Sequence, residues 1–297
     1  TGYIEGDIYT ELGTKTKVYG GNYSTVSIEE VAGTRAQNIR GSNTQMDWTG
    51  SGGYPAAPDT KDLFIKGTTK LVHRQTLARW TYGAGYSGLI WGDTSIELYG
   101  GVVDTLEGGG YMDCAIWGNT TATVYGGQVD WFLAGGGWLG KYIKGDAEVS
   151  IHGGTINAHI GGAYSTSKID GNTTVNIYAG DFSGSPRAGD IIKKMASGPS
   201  QAGTITGNAK FNLDLTNCPE DKFIGPPSGT FISGGRPYGA LADTVLGTDA
   251  DNTVELNIKT RAGSNLLNKV ILYIDGGING VTHSGNLTAN IDAPDSN

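Results

Sequence analysis

The sequence predicts an all-β protein: a parallel, β-helix-like solenoid with coils of about 26 residues and irregular insertions. Three observations carry that expectation. Glycine supplies 50 of the 297 residues, more than twice its ordinary share of about 7%. It follows no three-residue period, which excludes collagen, and each interior glycine would cost a helix about 1 kcal/mol relative to alanine. Apolar and polar residues alternate with the period of two that marks a half-buried strand. Finally, the alternating segments recur along the chain. Six Trp, fifteen Tyr and six Phe, with many Val and Ile, supply core material that a disordered chain lacks.

The repeat is plainest over 92–180. Residues 92–101 read GDTSIELYGG, 118–127 GNTTATVYGG, 145–154 GDAEVSIHGG and 171–180 GNTTVNIYAG. The starts, at Gly92, Gly118, Gly145 and Gly171, are almost evenly spaced. Within each copy two apolar positions alternate with polar ones: Ile96/Leu98, Ala122/Val124, Val149/Ile151 and Val175/Ile177. A Gly-Gly corner turns the chain, where glycine tolerates positive φ and close backbone approach. A second strand follows, with Val103, Val129, Ile156 and Phe182 at equivalent places, and a glycine cluster closes the coil. Fainter copies begin at Gly13, Gly67, Gly207, Asp251 and Gly285. Residues 1–297 therefore read as a single solenoid domain with insertions near 22–66, 181–206 and 215–250.

Coils that stack at the strand spacing of about 4.8 Å superimpose equivalent positions. Side-chain ladders follow: Tyr99, Tyr125, His152 and Tyr178 in one row, Trp91 and Trp117 in another. Neither end carries an amphipathic capping helix. Uncapped coils pair with other chains, so the expected partners are copies of the same protein, unless an irregular segment such as 28–66 folds over one end.

Charge narrows the function. The formal net charge is −8 and the pI about 5.0, which argues against nucleic acid as a partner. No apolar stretch approaches the ~20 residues of a membrane helix. The chain opens on Thr1 rather than Met, as a mature end does after removal of a signal peptide, and that places the protein outside the cell.

The G-N-T-T-V-x-I-Y-G-G repeat resembles glycine-rich, adhesin-like surface proteins of bacteria and methanogenic archaea. It is also similar to the repeat-built sheath proteins of filamentous methanogens. The resemblance rests on residues 92–180 and more faintly on the other copies. It implies a structural protein that self-assembles through stacked coils into a cell-surface layer, sheath or fibre. It brings no catalytic motif and no cofactor.

Candidate sites are few. Asp104 and Asp130 occupy equivalent positions in adjacent coils, with Asn157 next; stacked carboxylates repel unless protonated or bridged, so a structural calcium ion is one candidate there. No zinc-type His or Cys spacing occurs. Cys114 and Cys218 lie far apart in the sequence, and the period does not bring them to adjacent coils. Bonds between subunits, or free thiols, are favoured over one internal disulfide. Sequons at Asn22, Asn119, Asn172 and Asn286 are glycosylation candidates. The alternative to a structural protein is a polysaccharide lyase or hydrolase, or a carbohydrate-binding parallel β-helix of the phage tail-spike kind. Lys141, Lys144 and Arg187 would be its bases and Asp181, Asp190 and Glu148 its acids, but they form no motif. Aromatics outside the ladders, Tyr111, Trp131, Trp138 and Tyr142, either form an exposed row that could meet surface glycans or a neighbouring subunit, or lie buried under the irregular segments.

Overall fold

The structure is a computed structural model. It describes residues 68–294 except 75, 86–87, 113, 140–141, 165–167, 187–192, 200–202, 228–229, 236–243, 267–272 and 276–280. Ahead of Thr68 it describes the strands within 8–40 and the strand Phe64–Ile65. Asn22, Lys141, Arg187 and Asp190 lie outside the described residues.

Among the described residues the chain is all β, without an α-helix, and the strands pair in parallel. They form three sheets. The first holds ten strands in the order Ile8–Leu12, Val26–Glu30, Thr69–His73, Thr94–Leu98, Thr120–Val124, Ala147–Ile151, Thr173–Ile177, Ala209–Leu215, Thr253–Thr260 and Asn286–Asp292. The second runs alongside through strands such as Thr76–Tyr82, Gly101–Glu107, Gln128–Ala134 and His159–Gly161. The third is made of short strands, among them Gly88–Ile90, Cys114–Ile116, Tyr142–Ile143 and Lys168–Ile169. The chain visits the three in turn and returns to the first sheet one strand further on.

Three details differ from the sequence expectation. The sequence pattern predicts two strands per repeat, and there are three. The third strand is too short to display an alternation. The copy beginning at Gly13 also belongs elsewhere: Lys17–Tyr19 pairs in the second sheet, while Ile8–Leu12 opens the first. The segments expected as insertions near 22–66, 181–206 and 215–250 themselves contribute strands to the sheets, such as Val26–Glu30, Lys194–Ala196 and Phe231–Ser233.

The alternation decides the packing. In Thr94–Leu98 and Thr120–Val124 every second residue is buried. Ile96, Leu98, Ala122 and Val124 meet Val103, Leu106, Val129 and Leu133 in a core between the first and second sheets. A second core joins Ile90, Cys114, Ile116, Ile143 and Ile169 of the third sheet to Ala147, Ala209 and Val254 of the first. The glycine clusters lie between the first and second sheets. A Cβ on Gly108 would stand 2.5 Å from the Gly135 oxygen and 2.8 Å from the Thr121 carbonyl. Backbone rests on backbone there, which no other residue permits.

The second sheet forks after Gln128–Ala134. That strand pairs onward with two short pieces, Thr155–Ile156 and His159–Gly161, separated by Asn157 and Ala158. From this layer on, Phe182 and Phe223 fill the interior beside the branch, with ring centroids 5.7 Å apart.

Candidate functional site

The regular copies fix a set of side-chain columns. Each copy opens on Gly-Asp or Gly-Asn, and that second residue accepts a hydrogen bond from the backbone N–H of its equivalent one layer on. Asp93 Oδ1 takes the Asn119 N–H at 2.6 Å, Asn119 Oδ1 the Asp146 N–H at 2.9 Å, and Asp146 Oδ1 the Asn172 N–H at 2.7 Å. Asn172 continues to Asn208 at 2.8 Å and Asn208 to Thr253 at 2.7 Å. The corner after the first strand uses positive-φ glycines in a stack: Gly101, Gly127, Gly154 and Gly180.

Just before that corner runs a row of rings. Tyr99 and Tyr125 stack with centroids 4.7 Å apart, Tyr125 and His152 at 5.1 Å, and His152 and Tyr178 at 4.8 Å. All four residues are exposed; the tyrosines retain 42%, 45% and 38% of their surface. The spacing is the layer spacing itself, so the rows add ring stacking to the backbone ladder. Trp91 and Trp117 stack at 4.7 Å beside the third sheet. Both rows carry a cation on an outer ring face: Arg74 over Tyr99 at 5.0 Å and Lys144 over Trp117 at 4.2 Å.

Past Tyr178 the same row changes character. Register places Asp214 next, then Lys259, then Asp292. A groove of about 490 Å³ opens here, lined by His152, Tyr178, Asp181, Asp214, Asp221 and Lys222, among others. A second, of about 410 Å³, lies on the outer face of the first sheet beside Lys210, Asn212, Glu255 and Asn257. Its floor is an amide ladder. Asn212 Nδ2 donates to Asn176 Oδ1 at 2.7 Å, Asn257 to Asn212 at 2.9 Å, and Asn290 to Asn257 at 2.8 Å. Lys210 pairs with Glu255 at 3.2 Å.

The Asp104 row finds protein partners. Asp130 Oδ1 accepts hydrogen bonds from Gln128 Nε2 at 2.6 Å and Asn157 Nδ2 at 2.8 Å, and Asp104 pairs with Arg79 at 3.8 Å. A register shift between Val103 and Thr105 absorbs the extra residue in the step from Gly118 to Gly145. Among the described residues no three His, Cys, Asp or Glu side chains converge as metal ligands.

Neither cysteine forms a disulfide among the described residues, and both are buried. Cys114 belongs to the third-sheet core and Cys218 to the other, so the two do not bridge to each other. Burial pushes the Cys114 thiol up to about 12, keeping it protonated. Of the sequons, Asn119 and Asn286 are exposed and Asn172 is half-buried. Asn172 Nδ2 also donates to Asp146 Oδ1 at 3.1 Å.

The described acid and base candidates are not brought together. Lys144 lies on Trp117; Glu148 accepts from Ser150 and Asn176 on the first-sheet face; Asp181 Oδ1 accepts from the Ser183 N–H and hydroxyl. Trp131, Trp138, Tyr111 and Tyr164 instead form an edge-to-face cluster over the second sheet, with Trp131–Trp138 at 5.5 Å and Trp138–Tyr164 at 5.1 Å.

Three features escape sequence reasoning. The amide ladder has a visible signal, an Asn between two apolar residues at 176, 212, 257 and 290. Its steps from Asn176 to Asn212, Asn257 and Asn290 are long and unequal, and that hides the register. Glu107 is fully buried at the end of its strand, and burial holds its carboxyl well above the usual range, opposed by the Trp138 backbone N–H. Lys193 is buried inside the fork. Its ammonium donates to the carbonyls of Ile156, Phe182 (2.8 Å) and Gly184 (3.3 Å).

The last strand, Asn286–Asp292, is exposed along its whole length. Leu287, Ala289 and Ile291 occupy the rows that bury Val254, Leu256 and Ile258 one strand earlier. Comparison of the chain with protein-family models, curated proteins and solved structures returned no match.

Proposed function

We propose that the chain is a β-solenoid whose function is mechanical: it assembles by end-to-end stacking of its coils into an extracellular surface layer, sheath or fibre. The carrying observation is the uncovered strand Asn286–Asp292. An exposed strand with apolar residues in core rows is a template for another strand. Register favours a second copy as its occupant. The row that starts at Ile8 ends at Leu287, and the row that starts at Thr10 ends at Ala289. A second copy laid with Ile8–Leu12 against Asn286–Asp292 continues both.

The side-chain columns suit this role. Each layer is joined to the next by backbone bonds, an Asx column, ring stacking or amide pairing. Load is shared along rows rather than held at one site, as in other stacked β assemblies. Among the described residues the acid and base candidates are not gathered at one place.

Sedimentation velocity over a range of concentrations tests the proposal. The chain should form growing polymers, and Leu287→Lys/Ile291→Lys should hold it as discrete particles with unchanged circular dichroism. A wild-type chain that sediments as one small species at every concentration, or polymers indifferent to the double substitution, would overturn it.

A further inference from the structure

We propose that the groove at the open end of the tyrosine row binds an organic cation, an ammonium or guanidinium group, stacked on the outer face of Tyr178 and neutralised by Asp214, Asp181 and Asp221. The inference does not depend on end-to-end assembly.

Aromatic rings carry negative faces, and a cation within about 6 Å of the centroid is attracted to them. Inside the row each face is covered by the next ring. Two outer faces remain, on Tyr99 and on Tyr178. Arg74 covers the first at 5.0 Å, and in the tryptophan row Lys144 covers Trp117 at 4.2 Å. At the corresponding place beyond Tyr178 the register puts Asp214, an anion. A carboxylate against a ring face is electrostatically unfavourable, and a cation between them relieves both.

The surroundings fit that occupant. The groove holds about 490 Å³ and is walled by Asn217, Cys218, Pro219, Asp221, Lys222 and Ile224. Among the described residues three aspartates line it against one lysine, Lys222, which pairs with Asp221 at 3.6 Å. Lys210 is engaged by Glu255, and Lys259 stands one layer beyond Asp214. The Tyr178 phenol is held above its usual range by burial, then by Glu148 and Asp214, so the ring sits in a negative field. A neutral sugar would use the ring but leave the surplus charge unanswered.

The test is a titration of the full chain, followed by NMR, with spermidine, with a tri-arginine peptide and with cellotetraose, at low and high salt. Both cations should perturb Tyr178 and His152 and be weakened by salt. Tyr178→Leu should lower their affinity about tenfold, Asp214→Asn about as much, while Tyr178→Phe keeps it and Trp91→Leu has no effect. A preference for tri-arginine identifies a basic peptide as the source of the cation; a preference for spermidine identifies a small polyamine. Binding of cellotetraose alone, no response to either cation, or equal losses in Tyr178→Leu and Trp91→Leu would overturn the assignment.

Discussion

The layers from Thr94 to Ile156 and those from Asn157 to Asp292 obey the same register rules with different side chains. In the first region the layers follow at a nearly constant sequence interval, the row before the corner is aromatic, and the second sheet is continuous. In the second the intervals lengthen and become unequal, the aromatic row gives way to Asp214, Lys259 and Asp292, and amides take over the first-sheet face. The sheet forks, and a buried lysine ties carbonyls at the fork. Strand register therefore tolerates large excursions between layers, provided each layer returns to its row. What the excursions change is which side chains hold the rows together.

The largest effect should come from the regular region. Gly127 has φ +78°, and a Cβ there would stand 2.8 Å from the Gly101 oxygen. Gly127→Val combines backbone strain with a clash and should cost about 4 kcal/mol or prevent folding. Urea denaturation of the full chain measures it, and a loss below about 1 kcal/mol would break the corner account.

Next comes the fork. Lys193→Met leaves three carbonyls without their donor and should cost about 3 kcal/mol at neutral pH. The sign of its pH dependence is fixed by burial, which pulls the amine from 10.5 down to about 7 against the pull of Asp181. Between those values the unfolded chain binds the proton and the folded one does not, so this group's contribution rises with pH across that window. Glu107 in the regular region has the opposite sign. Its raised carboxyl is protonated when folded, so its contribution is present below about 4.5 and is lost as pH rises through the folded value. Melts of Lys193→Met and Glu107→Gln against the wild type, run across pH, separate the two.

A smaller effect belongs to the amide ladder. Asn212→Ala removes the rung between Asn176 and Asn257 and should cost about 1–2 kcal/mol. A double-mutant cycle with Asn257→Ala should return a coupling energy, whereas the same cycle between Asn212 and Tyr99 should return none. The smallest change is at Gly263, with φ +69° and open space where a Cβ would go; Gly263→Ala should cost only about 1 kcal/mol by thermal melt.

The regular region was legible because its signals repeat. Ile96/Leu98 and Ala122/Val124 alternate in one register, and Tyr99, Tyr125, His152 and Tyr178 recur one residue past it. The third sheet was not, since Tyr142–Ile143 and Lys168–Ile169 are too short for any period. The copy at Gly13 misled because KVYGG matches the corner motif, although Lys17–Tyr19 pairs in the second sheet. Lys193 gave no signal: it precedes its strand, and only the fork defines its partners.

The most direct test of continued stacking is electron microscopy and fibre diffraction of concentrated native chain. Filaments or sheets whose diffraction carries a reflection near about 4.8 Å along the stacking axis are predicted, because strands would repeat through the junction between copies. Discrete particles no longer than a single stack, with no such reflection, would contradict it.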